Sequence, residues 1–286
     1  MGEQDRDAAA LEALRWLIEA GADEAVAEAA VDRYAVAAAP PSVAKTPASP
    51  PRIATSELSP RPPDPSPPVW APVAAPPAPP QELLEDARRL AAAAADLNAL
   101  HDSIRAFDGC SLKQSATNTV IYRGNPESKI MLIGEAPGRE EDLQGRPFVG
   151  AAGQLLDRLL TWAGFDPEDV FITNLLFWRP PGNRTPETRE IALCLPFIER
   201  HIVLMQPEYL LLIGNVSTQA LWGQKGWRTR LRGRWFPYSQ EGLGAPVPAM
   251  AMLHPAFLLR QPAQKRLAWR DILAFREAVT GGIKAI

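Results

Sequence analysis

Four short apolar runs form the clearest pattern along the chain. Each is continuous rather than alternating, which is typical of a strand buried on both faces of a parallel sheet. The runs occupy residues 130–133, 170–173, 209–213 and 249–253. Apolar residues at helical spacing predict helices over 81–107, 152–163, 186–206, 216–222 and 262–279. This alternation predicts the α/β class, with a parallel sheet covered by helices on both faces.

The residues before this α/β pattern differ from it in composition. Residues 39–80 hold 16 of the chain's 30 prolines, interleaved with Ala and Ser, so we expect an extended, disordered linker there. Residues 5–36 show an Ala-rich helical pattern, which is too short to be stable alone. The segment 1–38 is therefore either a weakly ordered appendage or a docking element for a protein partner. The α/β domain is expected over 81–286.

Charge and cysteine content narrow the possible environments. The net charge of −3 gives no overall basic signature, so nucleic-acid binding requires a local patch. Two cysteines, Cys110 and Cys194, exclude a disulfide framework and fit a reducing cytoplasm. The sequence has no apolar run of membrane-spanning length and no secretory signal pattern. We expect a cytoplasmic monomer with no membrane association.

Polar residues or glycines suited to ligand binding follow each predicted strand. These strand-end groups are Gly134-Glu135, Asn174, Gly214-Asn215 and His254-Pro255. In open α/β sheets, ligands bind at the carboxyl ends of the strands. The loop after the first strand also combines several glycines with carboxylates and one aromatic ring, Phe148. The pattern therefore predicts one ligand site at this edge of the sheet.

Four motifs carry a resemblance to a known family. They read GEAPGREEDLQGRPFVG at 134–150, ITN at 172–174, RPPGNRTP at 179–186 and LHPAFLLR at 253–260. Their order and spacing resemble the family 4 uracil-DNA glycosylases, across roughly residues 84–280. The resemblance implies a three-layer α/β/α sandwich with a central four-stranded parallel sheet. It also implies excision of uracil from DNA in base excision repair, with uracil-containing DNA as the partner.

Three side chains fit the chemistry of releasing uracil. Cleaving its bond to deoxyribose builds negative charge on the base and positive charge on the sugar. Phe148 is predicted to stack on the flipped base, and Asn174 to pair with the uracil edge that presents a carbonyl beside an imide N–H. His254 is predicted to donate a hydrogen bond to the 2-carbonyl oxygen. The sequence leaves open a packing role for Phe148 and a strand-capping role for Asn174.

Carboxylates supply the other half of the predicted chemistry. Glu135 and Glu141 match the family motif, and either can orient the attacking water or stabilise the cationic sugar. The sequence does not separate these two jobs. Gly134 and Asn183 complete the predicted substrate-binding set. Asn183 either contacts a backbone phosphate or holds its own turn.

Basic residues cluster late in the chain. Arg228, Arg230, Arg232 and Arg234 alternate at period 2, which suits either phosphate contacts or a salt-bridged surface. The segment Leu258-Leu259-Arg260 resembles the family loop that enters the duplex as an apolar wedge. The predicted DNA-binding residues are Leu258, Leu259, Arg260, Lys265 and Arg266.

The chain departs from the family at its iron site. The resemblance implies a [4Fe–4S] cluster held by four cysteines, but the equivalent positions here are Phe107, Cys110, Trp178 and Cys194. Two thiolates cannot supply the four that such a cluster needs. We therefore expect no cofactor and no metal, with Phe107 and Trp178 filling the volume. A labile or partner-supplied metal site is the alternative.

Three functional hypotheses follow from the motifs. The first is a monofunctional uracil-DNA glycosylase. The second is a non-catalytic DNA-binding or interaction protein on the same fold, which recruits repair or replication factors. The third, a nucleotide-binding enzyme using the glycine loop as a phosphate cradle, is disfavoured because no G-K-[ST] follows the loop.

Overall fold

The computed structural model describes residues 79–223 and 231–282. The predictions for 1–38, for most of the 39–80 linker, and for Arg228 and Arg230 lie outside the described residues. The strands are β1 (Tyr122–Gly124), β2 (Ile130–Gly134), β3 (Phe171–Asn174), β4 (Tyr209–Ile213), β5 (Trp235–Tyr238) and β6 (Val247–Met252). The helices are α1 (Gln81–Ala93), α2 (Leu97–Ala106), α3 (Leu112–Ser115), α4 (Arg139–Gln144), α5 (Ala151–Trp162), α6 (Thr188–Met205), α7 (Asn215–Trp222), α8 (Pro255–Arg260) and α9 (Lys265–Gly281).

The helix predicted over 81–107 is two helices, α1 and α2. The break falls between Ala93 and Leu97, where Asp96 adopts an extended conformation. The Asp96 carboxylate accepts a hydrogen bond from the Ala99 backbone N–H at 2.9 Å, so it caps the start of α2. No helix among the described residues has the length and apolar content needed to cross a membrane.

Within the described residues, one sheet has the strand order β1-β3-β2-β4-β6-β5. The four predicted strands are β2, β3, β4 and β6, and they pair in parallel at its centre. The α/β class is thus confirmed, but the sheet is wider than the predicted four strands. Antiparallel β1 and β5 extend its two edges. β1 has only three residues and β5 contains Pro237, which a strand tolerates at an edge, so neither gave a clear strand pattern.

Both faces of the central strands are buried, which explains why their apolar runs are continuous. In β2, Met131 and Ile133 join one core cluster while Leu132 joins the other. Helices α1, α2 and α6 contribute apolar residues to the first cluster. Helices α5 and α9 contribute to the second. The predicted three-layer α/β/α arrangement follows from this division.

Strand register brings the predicted site residues to one edge. Gly134, the last residue of β2, pairs with Asn174, the last residue of β3. On the other side of β2, Ile213 of β4 pairs with Met252 of β6. His254 follows two residues later at the start of α8. Because these strands run parallel, their carboxyl ends open on the same side of the sheet.

Candidate active site

A cleft of about 410 Å³ lies at the carboxyl ends of the central strands. It is built from the loop after β2, the end of β3, the turn before α6 and the start of α8. The predicted residues that line it are Glu135, Glu141, Phe148, Asn174, Asn183, His254 and Arg260. The structure therefore brings together residues that are up to 125 positions apart in the sequence.

Two glycines leave room for Phe148 at the cleft, Gly134 for its ring and Gly153 for its backbone. A Cβ on Gly134 would lie 2.5 Å from Phe148 Cζ and 2.3 Å from Asn174 Oδ1, closer than real atoms approach. A Cβ on Gly153 would lie 1.8 Å from the Phe148 carbonyl oxygen. Phe148 itself has a positive φ of 55°, which is uncommon for a residue with a side chain. The ring is only 5% exposed, belongs to the second core cluster and also lines the cleft.

The His254 imidazole is held in one orientation and one protonation state. Its Nδ1 accepts a hydrogen bond from the Ala256 backbone N–H at 3.1 Å. The neutral ring must then carry its proton on Nε2, which leaves Nε2–H as a donor. Burial, assisted by the positive charge of Arg260, lowers the pKa of His254 to about 4. The imidazole is therefore neutral at physiological pH.

Glu135 and Glu141 occupy different environments although they lie only six positions apart in the sequence. Burial raises the pKa of the Glu135 carboxyl, and the charge of Arg260 partly opposes that rise. No described residue donates a hydrogen bond to its carboxylate at the cleft wall. By contrast, Glu141 accepts from three backbone N–H groups: Gly138 at 3.0 Å, Val149 at 2.9 Å and Gly150 at 2.8 Å. Both Glu141 oxygens are thus engaged in fixing the loop on either side of Phe148.

The two predicted asparagines also differ. Asn174 is 2% exposed, and its amide lies beside the Phe148 ring across Gly134. Asn183 is exposed and has a positive φ of 54° in the turn before α6. Its Oδ1 accepts a hydrogen bond from Arg179 Nε at 2.7 Å, so the amide supports its own turn while lining the cleft.

A comparison with protein families identifies the superfamily of this chain. Residues 121–273, more than half of the chain, match the model of the uracil DNA glycosylase superfamily. The chain belongs to the uracil DNA glycosylase superfamily.

The chain aligns with most of the length of several curated relatives in this superfamily. A type-4 uracil-DNA glycosylase from Pyrobaculum aerophilum is 39% identical over 182 residues, which cover 63% of this chain and 93% of the relative. One from Saccharolobus solfataricus is 36% identical over 190 residues, covering 65% of this chain and 87% of the relative. One from Thermotoga maritima is 36% identical over 174 residues, covering 60% and 88%.

The structure places the predicted DNA-binding residues of this superfamily member in different environments. Leu258 is fully buried in the second core cluster, so its side chain is not exposed for contact with DNA in this structure. The neighbouring Leu259 is 44% exposed and projects from the same short helix. Arg260 lines the cleft and is exposed, Arg266 is exposed, and Lys265 is half-buried. The predicted wedge is thereby reduced to Leu259 and Arg260.

The structure shows the contacts of two arginines, Arg232 and Arg184, that the sequence did not assign. Arg232 pairs with the buried carboxylate of Asp271 at 2.8 Å, which favours the salt-bridge interpretation for that position. Arg184 lines the cleft but was not among the predicted site residues. Its guanidinium holds Glu190 with two hydrogen bonds, at 2.9 and 2.5 Å. Its place inside the RPPGNRTP motif was the available signal.

The four family-equivalent cluster positions are all buried in the first core cluster. Phe107 packs on Phe197 with ring centroids 5.3 Å apart, and Trp178 Nε1 donates to Thr119 Oγ1 at 3.0 Å. Cys110 and Cys194 are fully buried free thiols. Among the described residues, no group of three or more His, Cys, Asp or Glu side chains is placed to hold a metal ion. These residues do not fit a four-cysteine cluster.

Proposed function

We propose that this protein is a uracil-DNA glycosylase that hydrolyses the N-glycosidic bond of deoxyuridine in DNA. The products are free uracil and an abasic site, the first step of base excision repair. The observation that carries the proposal is the meeting of Phe148, Asn174, His254 and Glu135 in one cleft of a superfamily member. The names of the type-4 relatives support the same activity.

Uracil recognition begins with extrusion of the nucleotide from the duplex. The Phe148 ring then stacks on the pyrimidine, an interaction worth about 1–3 kcal/mol that does not distinguish bases. Discrimination comes from Asn174, whose amide offers a donor and an acceptor to the uracil carbonyl and imide N–H. Cytosine presents the opposite pattern at that edge. The rigid setting of Asn174 beside Gly134 supports this role.

His254 stabilises the departing base. As the glycosidic bond lengthens, negative charge develops on the uracil 2-carbonyl oxygen. The Nε2–H of neutral His254 donates to that oxygen, while the Ala256 N–H holds Nδ1. A neutral donor suits this task because it does not require the imidazole to gain and lose a proton during the reaction.

Glu135 acts on the sugar side of the bond. Its carboxylate orients a water molecule toward C1′ and stabilises positive charge on the deoxyribose. Its freedom from hydrogen bonds with described residues supports the role. Glu141, with three backbone partners, is assigned to positioning Phe148 rather than to the reacting atoms. This assignment separates two carboxylates that the sequence left equivalent.

The DNA-binding surface surrounds the cleft mouth. Leu259 enters the space of the extruded base, and Arg260 neutralises a neighbouring phosphate. Lys265 and Arg266 extend this positive surface beyond α8. Local charge of this kind supports DNA binding in spite of the net charge of −3.

The same proposal includes activity without a [4Fe–4S] cluster. Phe107 and Trp178 stand at two of the four equivalent positions and are 1% exposed, so they fill the core there. Iron analysis and visible absorbance of freshly purified protein test this directly. Stoichiometric iron would overturn it. A Phe107→Cys/Trp178→Cys variant, which restores four cysteines, serves as the positive comparison after iron–sulfur reconstitution.

Incubation with uracil-containing oligonucleotides, followed by alkali, tests the activity. Strand cleavage at uracil, with none at cytosine or thymine, is expected from the wild-type protein on single- or double-stranded substrate. DNA binding without cleavage would favour instead the non-catalytic recruitment protein. A His254→Ala/Asn174→Ala double variant controls for contaminating glycosylases.

A further inference from the structure

Of the four predicted strand-end groups, Gly214-Asn215 has no role in the steps proposed for uracil release. Gly214 follows β4 directly and precedes α7, and its backbone has φ 102° and ψ 176°. This combination of angles is found essentially in glycine alone, because a side chain would strain it. The backbone of this strand end therefore requires glycine.

The side chain of His254 occupies the space that a side chain on Gly214 would need. A Cβ on Gly214 would lie 3.1 Å from His254 Cβ and 3.2 Å from His254 Cδ2, tighter than nearly all real contacts of a Cβ atom. Cδ2 is bonded to Nε2, the nitrogen that carries the proton donated to uracil. The donor edge of the imidazole thus lies against Gly214.

Hydrogen bonds on both sides fix the backbone of Gly214. Its N–H donates to the Met252 carbonyl oxygen at 2.9 Å, which ties the end of β4 to β6 two residues before His254. Its carbonyl oxygen accepts from Thr218 Oγ1 at 2.7 Å, from the Thr218 backbone N–H at 3.3 Å and from Ser217 Oγ at 3.3 Å. Thr218 and Ser217 are fully buried. The strand end therefore resists displacement by the imidazole.

The imidazole is the movable partner in this contact. The His254 backbone is held at the start of α8, where its carbonyl oxygen accepts from the Phe257 N–H at 2.9 Å. The ring itself can still turn about its side-chain bonds. The Ala256 N–H holds the Nδ1 edge of the ring, and Gly214 limits the opposite edge, where Cδ2 lies.

We propose that Gly214 is a positioning residue for His254, whose lack of a side chain and fixed backbone set the orientation from which the imidazole donates to the uracil 2-carbonyl oxygen. This role rests on the proposed glycosylase function, in which His254 supplies that donor. Gly214 is buried and does not belong to the described residues that line the cleft. It therefore acts through His254 rather than on the substrate.

Gly214→Ala tests this role, with Gly223→Ala as the matched control. Gly223 ends the same helix at φ 73°, and its Cβ would meet no described atom within 4 Å, so alanine there strains the backbone without pressing on a side chain. Gly214→Ala should lower the single-turnover rate at saturating DNA by about 10–100-fold, because the imidazole is displaced. Its affinity for uracil-containing DNA should change by less than about twofold, since binding precedes the affected step. Gly223→Ala should keep the wild-type rate.

A double-mutant cycle separates positioning from general destabilisation. In a His254→Ala background, Gly214→Ala should cost little further rate, because the ring through which it acts is gone. An equal loss of rate in both backgrounds would overturn the proposed role. An inactive wild-type protein would overturn the glycosylase function instead, and the spectra described next would still decide whether Gly214 positions the ring.

Long-range ¹H–¹⁵N spectra of the histidine rings report on His254 without any enzymatic activity. The chain has three histidines, so the signals missing from His254→Ala identify those of His254. In wild type they should show the proton on Nε2 and an accepting Nδ1. In Gly214→Ala they should shift and include the Nδ1–H form, because the displaced ring loses the Ala256 N–H, while His101 and His201 stay unchanged. Unchanged His254 signals would overturn the proposed role whatever the rates.

Two Thr218 variants decide the question if Gly214→Ala does not fold. Thr218→Val removes the hydroxyl that donates to the Gly214 carbonyl oxygen, whereas Thr218→Ser keeps it. Thr218→Val should lower the single-turnover rate by about 3–10-fold and shift the His254 signals, because the strand end loosens. Thr218→Ser should restore both to near the wild-type values. A wild-type rate and wild-type spectra in Thr218→Val would overturn the proposed role.

Discussion

The Phe148 ring stacks on the His254 imidazole, with centroids 5.8 Å apart and planes inclined by 28°. Phe148 lies in the loop after β2, whereas His254 follows β6. Their contact couples the aromatic floor of the cleft to its hydrogen-bond donor. A change that moves either ring is therefore expected to affect both base stacking and stabilisation of the departing base.

Loss of the His254 donor is expected to slow chemistry without weakening DNA binding. His254→Ala should lower the single-turnover rate by about 10²–10³-fold, the usual cost of removing a donor to developing negative charge. Lys265→Ala, which removes a peripheral charge, should leave that rate within a few-fold of wild type. Rapid-quench kinetics with saturating enzyme measure both. Equal rates for His254→Ala and wild type would remove the proposed role.

The acid limb of the pH–rate profile is expected to report Glu135. Its carboxylate is the active form, so activity should fall as pH drops through a pKa that burial raises above the ordinary Glu range. His254, with a pKa of about 4, stays neutral over that interval and adds no step near pH 6.5. Glu135→Gln should lower the rate by about 10²–10⁴-fold and abolish the limb. A limb that persists in Glu135→Gln would assign it to another group.

The location of the candidate site was predictable because the carboxyl ends of parallel strands lie at the same edge of the sheet. Asn174 and His254 each follow a continuous apolar run, and that pattern alone indicated that they would meet. The side-chain direction within a loop was not predictable. Glu141 and Glu135 share a motif, yet only backbone geometry directs Glu141 onto three N–H groups. The spacing of the two glutamates in the sequence does not predict these backbone contacts of Glu141.

The sequence also did not predict which of two adjacent leucines is buried. Leu258 and Leu259 are identical side chains, but α8 packs one face on the second core cluster and exposes the other. The edge strands β1 and β5 were missed for a different reason. They pair on one side only, so neither needs the long apolar run that marks a central strand.

Gly134 is expected to be essential for a steric reason. In Gly134→Ala, the added Cβ would overlap Asn174 Oδ1 and Phe148 Cζ, at 2.3 and 2.5 Å. Displacing both side chains should reduce the rate of uracil release by at least about 10²-fold, because small misplacements at a reacting centre are costly. Gly244→Ala is the matched control, since its Cβ would meet no atom within 4 Å. Comparable activity of the two variants would contradict the role of Gly134.

Glu141 is expected to affect stability as well as activity. Glu141→Ala leaves the N–H groups of Gly138, Val149 and Gly150 without their acceptor, so unfolding free energy should fall by about 2–4 kcal/mol. Uracil release should slow because the loop that carries Phe148 loses its anchor. Glu140→Ala, at an exposed position of the same helix, should change neither quantity. Urea unfolding and single-turnover rates measured on both variants distinguish this positioning role from direct catalysis, which would spare stability.

A buried histidine pair is expected to make the fold sensitive to mild acid. His201 Nδ1–H donates to the Phe197 carbonyl oxygen at 2.9 Å, so its Nε2 accepts from His101 Nε2–H at 3.1 Å. Burial is the main cause that lowers the pKa of His101 to about 4 and of His201 to about 3. Both rings are therefore neutral in the folded protein.

The unfolded chain binds more protons than the folded one between pH 6.5 and pH 4, so stability is complete above this window and falls as pH decreases through it. The pair should cost on the order of 3 kcal/mol between pH 7 and pH 5. His101→Gln retains a donor toward His201 and removes one titrating ring, so its stability should decline less steeply. His254, which is also neutral in the folded protein, adds a loss of the same sign that is common to both proteins. Urea unfolding at pH 7, 6 and 5 gives the two slopes, and identical slopes would show that His101 does not contribute.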